Sequence, residues 1–193
     1  MTGRKRLRFL IVIAIAGLIA FGESAMAADP GYKRSVGRYA VPDVVLVNQD
    51  GARVRLQSLV ESDKPVVLDF IYATCTTICP VLSAGYTSVQ SKIGPDPRVV
   101  QLISISIDPE HDTPKIMKGH LRQYRAKPGW DFLTGSREDI DRVMKAFDSY
   151  IPDKMLHKQV TFIRAQGPGE WVRIDGLPGS SELMDEIGKA NKR

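Results

Sequence analysis

The two cysteines of this 193-residue chain stand four positions apart, in the run Asp69-Phe70-Ile71-Tyr72-Ala73-Thr74-Cys75-Thr76-Thr77-Ile78-Cys79-Pro80. Two thiols at this spacing can serve as a soft metal site, a redox couple or a structural crosslink. The crosslink is the weakest of the three, because so small a loop removes little entropy from the unfolded chain. Side chains at i and i+4 of a regular helix lie roughly 5–6 Å apart at Cβ, whereas a disulfide wants about 3.8 Å. Cys75 must therefore sit partly off any helix if the pair is to close. Pro80 suits a first helical position, which predicts Cys79 as the helix cap and Cys75 on the incoming loop. Both sulfurs are then expected to face free amides and the positive helix end, which favours thiolate. Asp69 adds a carboxyl six residues before Cys75 in an otherwise apolar run. Buried there, it would have a raised pKa and could take a proton from Cys79 during disulfide exchange; turned to a polar rim or satisfied by backbone amides, it is structural only.

The elements that must position this stretch follow from its flanks. Val66 to Tyr72 is a nearly continuous apolar run, as expected of a central strand covered on both faces, and it delivers the cysteine loop at its C-terminal end. Leu82, Tyr86, Val89 and Ile93 form a helical stripe stopped by Gly94-Pro95-Asp96-Pro97. Val99 to Ile107 reads as a second central strand, followed by a helix that Thr113 and Pro114 open and that carries Met117, Leu121 and Tyr124. Trp130 to Leu133 is a short strand, and Ser136 caps a helix with the stripe Ile140, Val143, Met144 and Phe147. A polar loop with His157 precedes strands at Val160 to Arg164 and Trp171 to Ile174, joined through Gly167-Pro168-Gly169. The last helix starts near Ser181 with Leu183, Ile187 and Ala190. Ahead of all this, residues 31–42 read as an extended lead-in. Val44 to Val47, the turn Asn48 to Gly51 and Val54 to Leu56 form a hairpin, with Leu56 to Val60 one helical turn. The order predicts an α/β, thioredoxin-like three-layer sandwich with an added N-terminal β-hairpin.

The first 27 residues are expected to be a signal peptide and residues 28–193 one domain. Arg4, Lys5, Arg6 and Arg8 form a basic head, Phe9 to Phe21 is apolar, and Ala25-Met26-Ala27 is a small-x-small cleavage site. The apolar run falls short of the ~20 residues of a usual membrane span, so the alternative is an uncleaved anchor facing the periplasm. Export to the periplasm places the dithiol in an oxidising compartment, where a metal or a reductant must keep it from pairing. Residues 1–27 carry four basic and one acidic side chain, so cleavage lowers the net charge from +5 to +2. That balance gives no support to nucleic-acid binding.

Taken together, these residues resemble the Sco/SenC family of copper-binding, thioredoxin-fold proteins over roughly residues 40–190. The resemblance rests on Thr74-Cys75-Thr76-Thr77-Ile78-Cys79-Pro80 and on Ser104-Ile105-Ser106-Ile107-Asp108-Pro109-Glu110-His111-Asp112-Thr113-Pro114. It rests also on Trp130 with Leu133-Thr134-Gly135, and on His157 just ahead of Val160 to Ile163. It implies one copper ion, Cu(I) or Cu(II), held by Cys75, Cys79 and His157. It implies a metallochaperone acting on the CuA-bearing subunit of cytochrome c oxidase, or on another exported copper or thiol protein, as a monomer. Thiolates select Cu(I), and an imidazole completes a site that also holds Cu(II). Asp108 and Asp112 are expected to shape the loop facing the site. The chain departs from many members in having Thr76-Thr77-Ile78 between the cysteines and Lys158 after the histidine.

The rival reading is an exported thiol–disulfide oxidoreductase in which Cys75 attacks and Cys79 resolves, with Asp69 placed as the acidic residue of thioredoxins is. A peroxiredoxin-like peroxidase ranks lower, because Tyr72 stands where that family has proline. A copper-responsive signalling protein would use the same three ligands. Of the other candidates, His120 is expected at the surface of a helix and Met155 in packing; His111, at the strand end, is expected to be a solvated side chain, with a supporting or docking role as the alternative.

Overall fold

The computed structural model describes residues 31–94, 96, 99–164 and 169–190. The expected signal segment, Pro95, Pro97 and the Gly167-Pro168 part of a turn lie outside these. Among the described residues eight strands form one mixed sheet: β1 (Tyr32–Gly37), β2 (Val45–Asn48), β3 (Arg53–Arg55), β4 (Val66–Ile71), β5 (Gln101–Ser106), β6 (Trp130–Thr134), β7 (Val160–Arg164) and β8 (Trp171–Gly176). Their order is β1-β8-β7-β4-β5-β6-β2-β3. The helices are α1 (Leu56–Val60), α2 (Cys79–Ile93), α3 (Pro114–Gln123), α4 (Arg137–Ala146) and α5 (Ser180–Ala190), with a single 3-10 turn at Lys154–Leu156. Among the described residues no helix is long and apolar enough to cross a membrane.

The unbroken apolar runs become the centre of the sheet for the reason they signal it. Every residue of β4, β5 and β7 is buried, so both faces must be covered. Strands β4, β5 and β6 are parallel. Asp69, Ser104, Trp130 and Phe132 point to the face holding α2 and α3, where Tyr86 meets Trp130 and His120 meets Phe132. Phe70 and Phe162 point to the other face, where Phe147 at the end of α4 packs edge-on against both and against Trp171. Two helical layers therefore enclose the sheet.

The expected hairpin is β2–β3, antiparallel across Val45↔Arg55, Leu46↔Val54 and Val47↔Arg53. Gly51 turns it with φ +79°, and Asn48 Oδ1 accepts from the amides of Asp50 and Ala52. The lead-in does more than expected: residues 32–37 pair antiparallel with β8 at the opposite edge of the sheet from the hairpin. Its short, half-exposed run Tyr32-Lys33-Arg34-Ser35-Val36-Gly37 carries a weak local signal, as edge strands do. The helix caps follow expectation at Thr113, whose side chain accepts from the Ile116 amide, and at Ser136, which accepts from the Asp139 amide. One cap differs: α2 begins at Cys79 itself, with Ile78 in the cap position and Pro80 within the first turn.

Candidate metal and thiol site

Strand β4 ends at Ile71, and the chain turns through Tyr72 to Ile78 before α2 starts. The Cys75 amide donates to the Tyr72 carbonyl (3.1 Å), which folds the loop back and takes Cys75 off the helix axis. Cys79, one turn further, is rooted in the helix. Both thiols are free. They differ in depth: Cys75 is 8% exposed and Cys79 not at all.

That difference separates their acidities, and the shared lowering expected from the helix end does not occur. Burial disfavours the Cys75 thiolate, but the thiol and amide of Cys79 and the hydroxyl and amide of Thr77 outweigh it and bring the pKa down to about 6. The Cys75 sulfur lies 3.5 Å from Thr77 Oγ1. Burial pushes Cys79 well above the ordinary thiol range, reinforced by the neighbouring Cys75 sulfur and the Asp69 carboxyl. One thiolate beside one thiol is the resting arrangement at neutral pH.

The loop is clamped at Ala73, whose amide donates to the Asp112 carboxylate (3.1 and 3.3 Å). Asp112 is fully buried and accepts from the Ser106 hydroxyl (2.6 Å), whose oxygen in turn accepts from the Asp108 amide. Asp108 sits between His111 Nδ1 (2.9 Å) and Lys154 Nζ (2.5 Å). Burial raises its pKa, but those two partners overcome it and the net shift is downward. The two aspartates expected to shape the loop therefore do so, and His111 braces Asp108 while its own side chain stays two-thirds exposed.

His157 reaches the same mouth through the topology. Strand β7 runs antiparallel to β4 as its direct neighbour, with Asp69 opposite Thr161. Extending that register places the segment preceding β7 beside the segment leaving β4, so His157 and the cysteines share one end of the sheet. Both ring nitrogens of His157 are shielded from solvent with no side-chain partner; the polar group nearest the ring is the Phe70 backbone. Burial lowers the imidazole pKa to about 4, offset in part by the Phe70 backbone, so the ring is neutral and its lone pair free. Among the described residues no three His, Cys, Asp or Glu side chains are already gathered at metal-binding separations.

Three expectations are corrected by burial. His120 is not a surface residue: it is 8% exposed, lies between Tyr124 and Phe132, and its Nε2 is 2.9 Å from Ser83 Oγ. Burial lowers its pKa to about 4, with the Ala73 backbone opposing. A polar residue on the inner stripe of α3, three positions after Met117, was the available signal. Met155 does not pack in the core: it is 72% exposed, with its sulfur 3.7 Å from the Tyr72 hydroxyl. Cys79, expected as a cap with an acidic thiol, is the first helical residue and a weak acid. Asp69 takes the interior alternative: it is fully buried, its polar side-chain neighbour across the ladder is Ser104, and burial, opposed only by that contact, raises it to about 7.

A thioredoxin-like sheet with a reduced dithiol at one strand end and a buried, neutral imidazole at the next defines an α/β protein built for soft-ligand or thiol chemistry. The chain belongs to the SCO1/SenC family, which it matches over residues 36–166. It is 35% identical over 133 residues to the SCO1 protein homolog of Bacillus subtilis (strain 168), covering 65% of this chain and 68% of that one. The structure of BsSco, described as carrying a disulfide switch and as a member of the Sco family of cytochrome c oxidase assembly proteins, superposes with TM-score 0.68 at 28% identity, covering 82% of this chain and 96% of that one. Bradyrhizobium japonicum ScoI with copper bound gives TM-score 0.64 at 26% identity over 78% and 99%.

Proposed function

We propose that this protein carries one copper ion on Cys75, Cys79 and His157 and delivers it in assembly of the CuA centre of cytochrome c oxidase. The observation that carries the reading is the imidazole of His157, buried, held neutral and without a side-chain partner, at the sheet end that also bears the dithiol. An unpartnered buried polar group is costly, and a metal ion repays that cost by using the lone pair. The donor set suits the cargo: two sulfurs select Cu(I), and the nitrogen accommodates Cu(II). Cys75 offers a thiolate at once, while Cys79 gives up its proton only as it binds, so loading releases about one proton at neutral pH. The Asp112 clamp on Ala73 keeps the loop from collapsing, and closure of the loop and the His157 segment around the ion completes the site. Copper-bound ScoI from Bradyrhizobium japonicum supports the reading by likeness. The exported location, with residues 1–27 as a cleaved leader, belongs to the same proposal.

A second reading is favoured by the unequal thiols. A low-pKa Cys75 above a protonated Cys79, with an Asp69 carboxyl near neutrality behind it, is the arrangement of a thiol–disulfide reductant: Cys75 attacks, Cys79 resolves. The disulfide switch of BsSco is in keeping with it. Copper reconstitution with visible absorption, run beside a disulfide-reduction assay on the metal-free protein, separates the two. The copper reading expects stoichiometric binding, its loss in Cys75→Ala or Cys79→Ala, and selective damage to the Cu(II) spectrum in His157→Ala. An unchanged Cu(II) spectrum in His157→Ala would overturn the histidine's assignment.

A further inference from the structure

Of the resident donors only Cys75 keeps an edge open to solvent, and that a narrow one. Cys79 is fully buried, Cys75 nearly so, and the ring nitrogens of His157 are shielded. Copper passes between molecules by ligand exchange, through an intermediate in which donors of both share the ion; where one narrow sulfur edge is all the site offers, an exposed outer donor speeds the start of that exchange. The 3-10 turn immediately before His157 presents one. Of the described methionines, Met117 and Met144 are buried and Met184 packs against the core, whereas Met155 stands 72% exposed. A thioether is a soft donor that takes Cu(I) without losing a proton.

Its placement is built. The Asp153 carboxylate accepts from the Met155 amide (2.9 Å), the Leu156 amide bonds back to the Asp153 carbonyl, and the His157 amide bonds to the Lys154 carbonyl. Lys154 is tied to Asp108, which anchors the turn to the loop after β5 and neutralises the adjacent cation. The Met155 sulfur is 3.7 Å from the Tyr72 hydroxyl. The Tyr72 side chain also meets that of Cys75, so Tyr72 bridges the outer thioether and Cys75.

We propose that Met155 is a transit ligand for Cu(I), taking the ion from an outside donor and passing it to Cys75, and that it is not part of the resting site. The proposal rests on the copper reading above. In the uptake direction a bond from copper to the outside donor breaks as the bond to the Met155 sulfur forms. The Cys75 sulfur then displaces the thioether, and Cys79 and His157 complete the set while the Cys79 proton leaves to buffer. Copper remains Cu(I) throughout and no electron moves.

The test is stopped-flow uptake by the reduced, metal-free full chain from the coloured Cu(I)–bicinchoninate complex, in the range where the rate rises with protein concentration, together with equilibrium competition against the same chelator. Met155→Leu keeps size and apolarity, and the exposed position makes it neutral to folding. The expected result is uptake about tenfold slower, corresponding to about 1.4 kcal/mol of barrier, with the equilibrium affinity unchanged. Met155→Ala should slow uptake no further, since the thioether and not the bulk is what matters. An unchanged rate in Met155→Leu overturns the proposal, and so does a weakened equilibrium affinity, which would make Met155 a resident ligand. Failure of the wild-type chain to take copper at all overturns the copper reading itself, and is distinguishable because it appears before any variant is compared.

Discussion

Asp69→Asn isolates the electrostatic cost of one carboxyl in the interior. The Asp69 carboxyl is fully buried, and burial, only partly offset by the Ser104 hydroxyl, lifts its pKa from 3.8 to about 7. Between those two values the native state holds a proton that the unfolded chain has lost. The stability this group contributes is therefore complete below pH 3.8, falls as pH rises, and levels off above about pH 7. At about 1.36 kcal/mol per pH unit the loss is about 4 kcal/mol, a large share of the 5–15 kcal/mol typical of a domain. Asp69→Asn removes the titration and leaves a pH-independent cost for a buried amide. His120 and His157, lowered from 6.5 to about 4, act with the opposite sign over pH 4–6.5, and Cys75 does so between about 6 and 9. The quantity to read is therefore the difference between variant and wild type, followed by urea unfolding of the reduced proteins with Trp130 and Trp171 fluorescence at intervals from pH 4 to 8. The variant's relative stability should climb by about 4 kcal/mol across pH 4–7 and then stay flat. Parallel curves would show that Asp69 is solvated or paired, and would remove it from the thiol chemistry as well.

Two further outcomes test the site's framework. Alkylation of Cys75 by iodoacetamide should rise to half its maximum near pH 6, and Cys79→Ala should move that midpoint upward because the Cys79 thiol is a main support of the thiolate; a midpoint near the ordinary thiol value in the wild type would refute the asymmetry. His120→Ala should cost about 2–4 kcal/mol, from the cavity between Tyr124 and Phe132 and the stranded Ser83 hydroxyl. It should also flatten the loss of stability on acidification from pH 6.5 to about 4, where the unfolded chain binds the proton first; retention of that slope would assign it to His157 instead.

The chain's own order determined the local architecture and the chemistry on offer. Unbroken apolar runs such as Val66 to Ile71 can be satisfied only by burial on both faces, and caps such as Thr113 and Ser136 act within a few residues, so β4, α3 and α4 are legible without any partner. The cysteine pair is equally plain, because reactive residue types and short spacing are properties of one segment. What tertiary structure decided was depth. Whether a side chain meets solvent or a neighbour depends on what packs over it, which is why His120, two turns into α3, proved interior and Met155 exposed. The pairing of residues 32–37 with β8, some 140 positions later, left almost no local trace. The unequal acidity of Cys75 and Cys79 likewise arises from burial and from contacts with Thr77 and Asp69 in three dimensions. Desolvation and register are sums over the whole fold, and no window of sequence contains them.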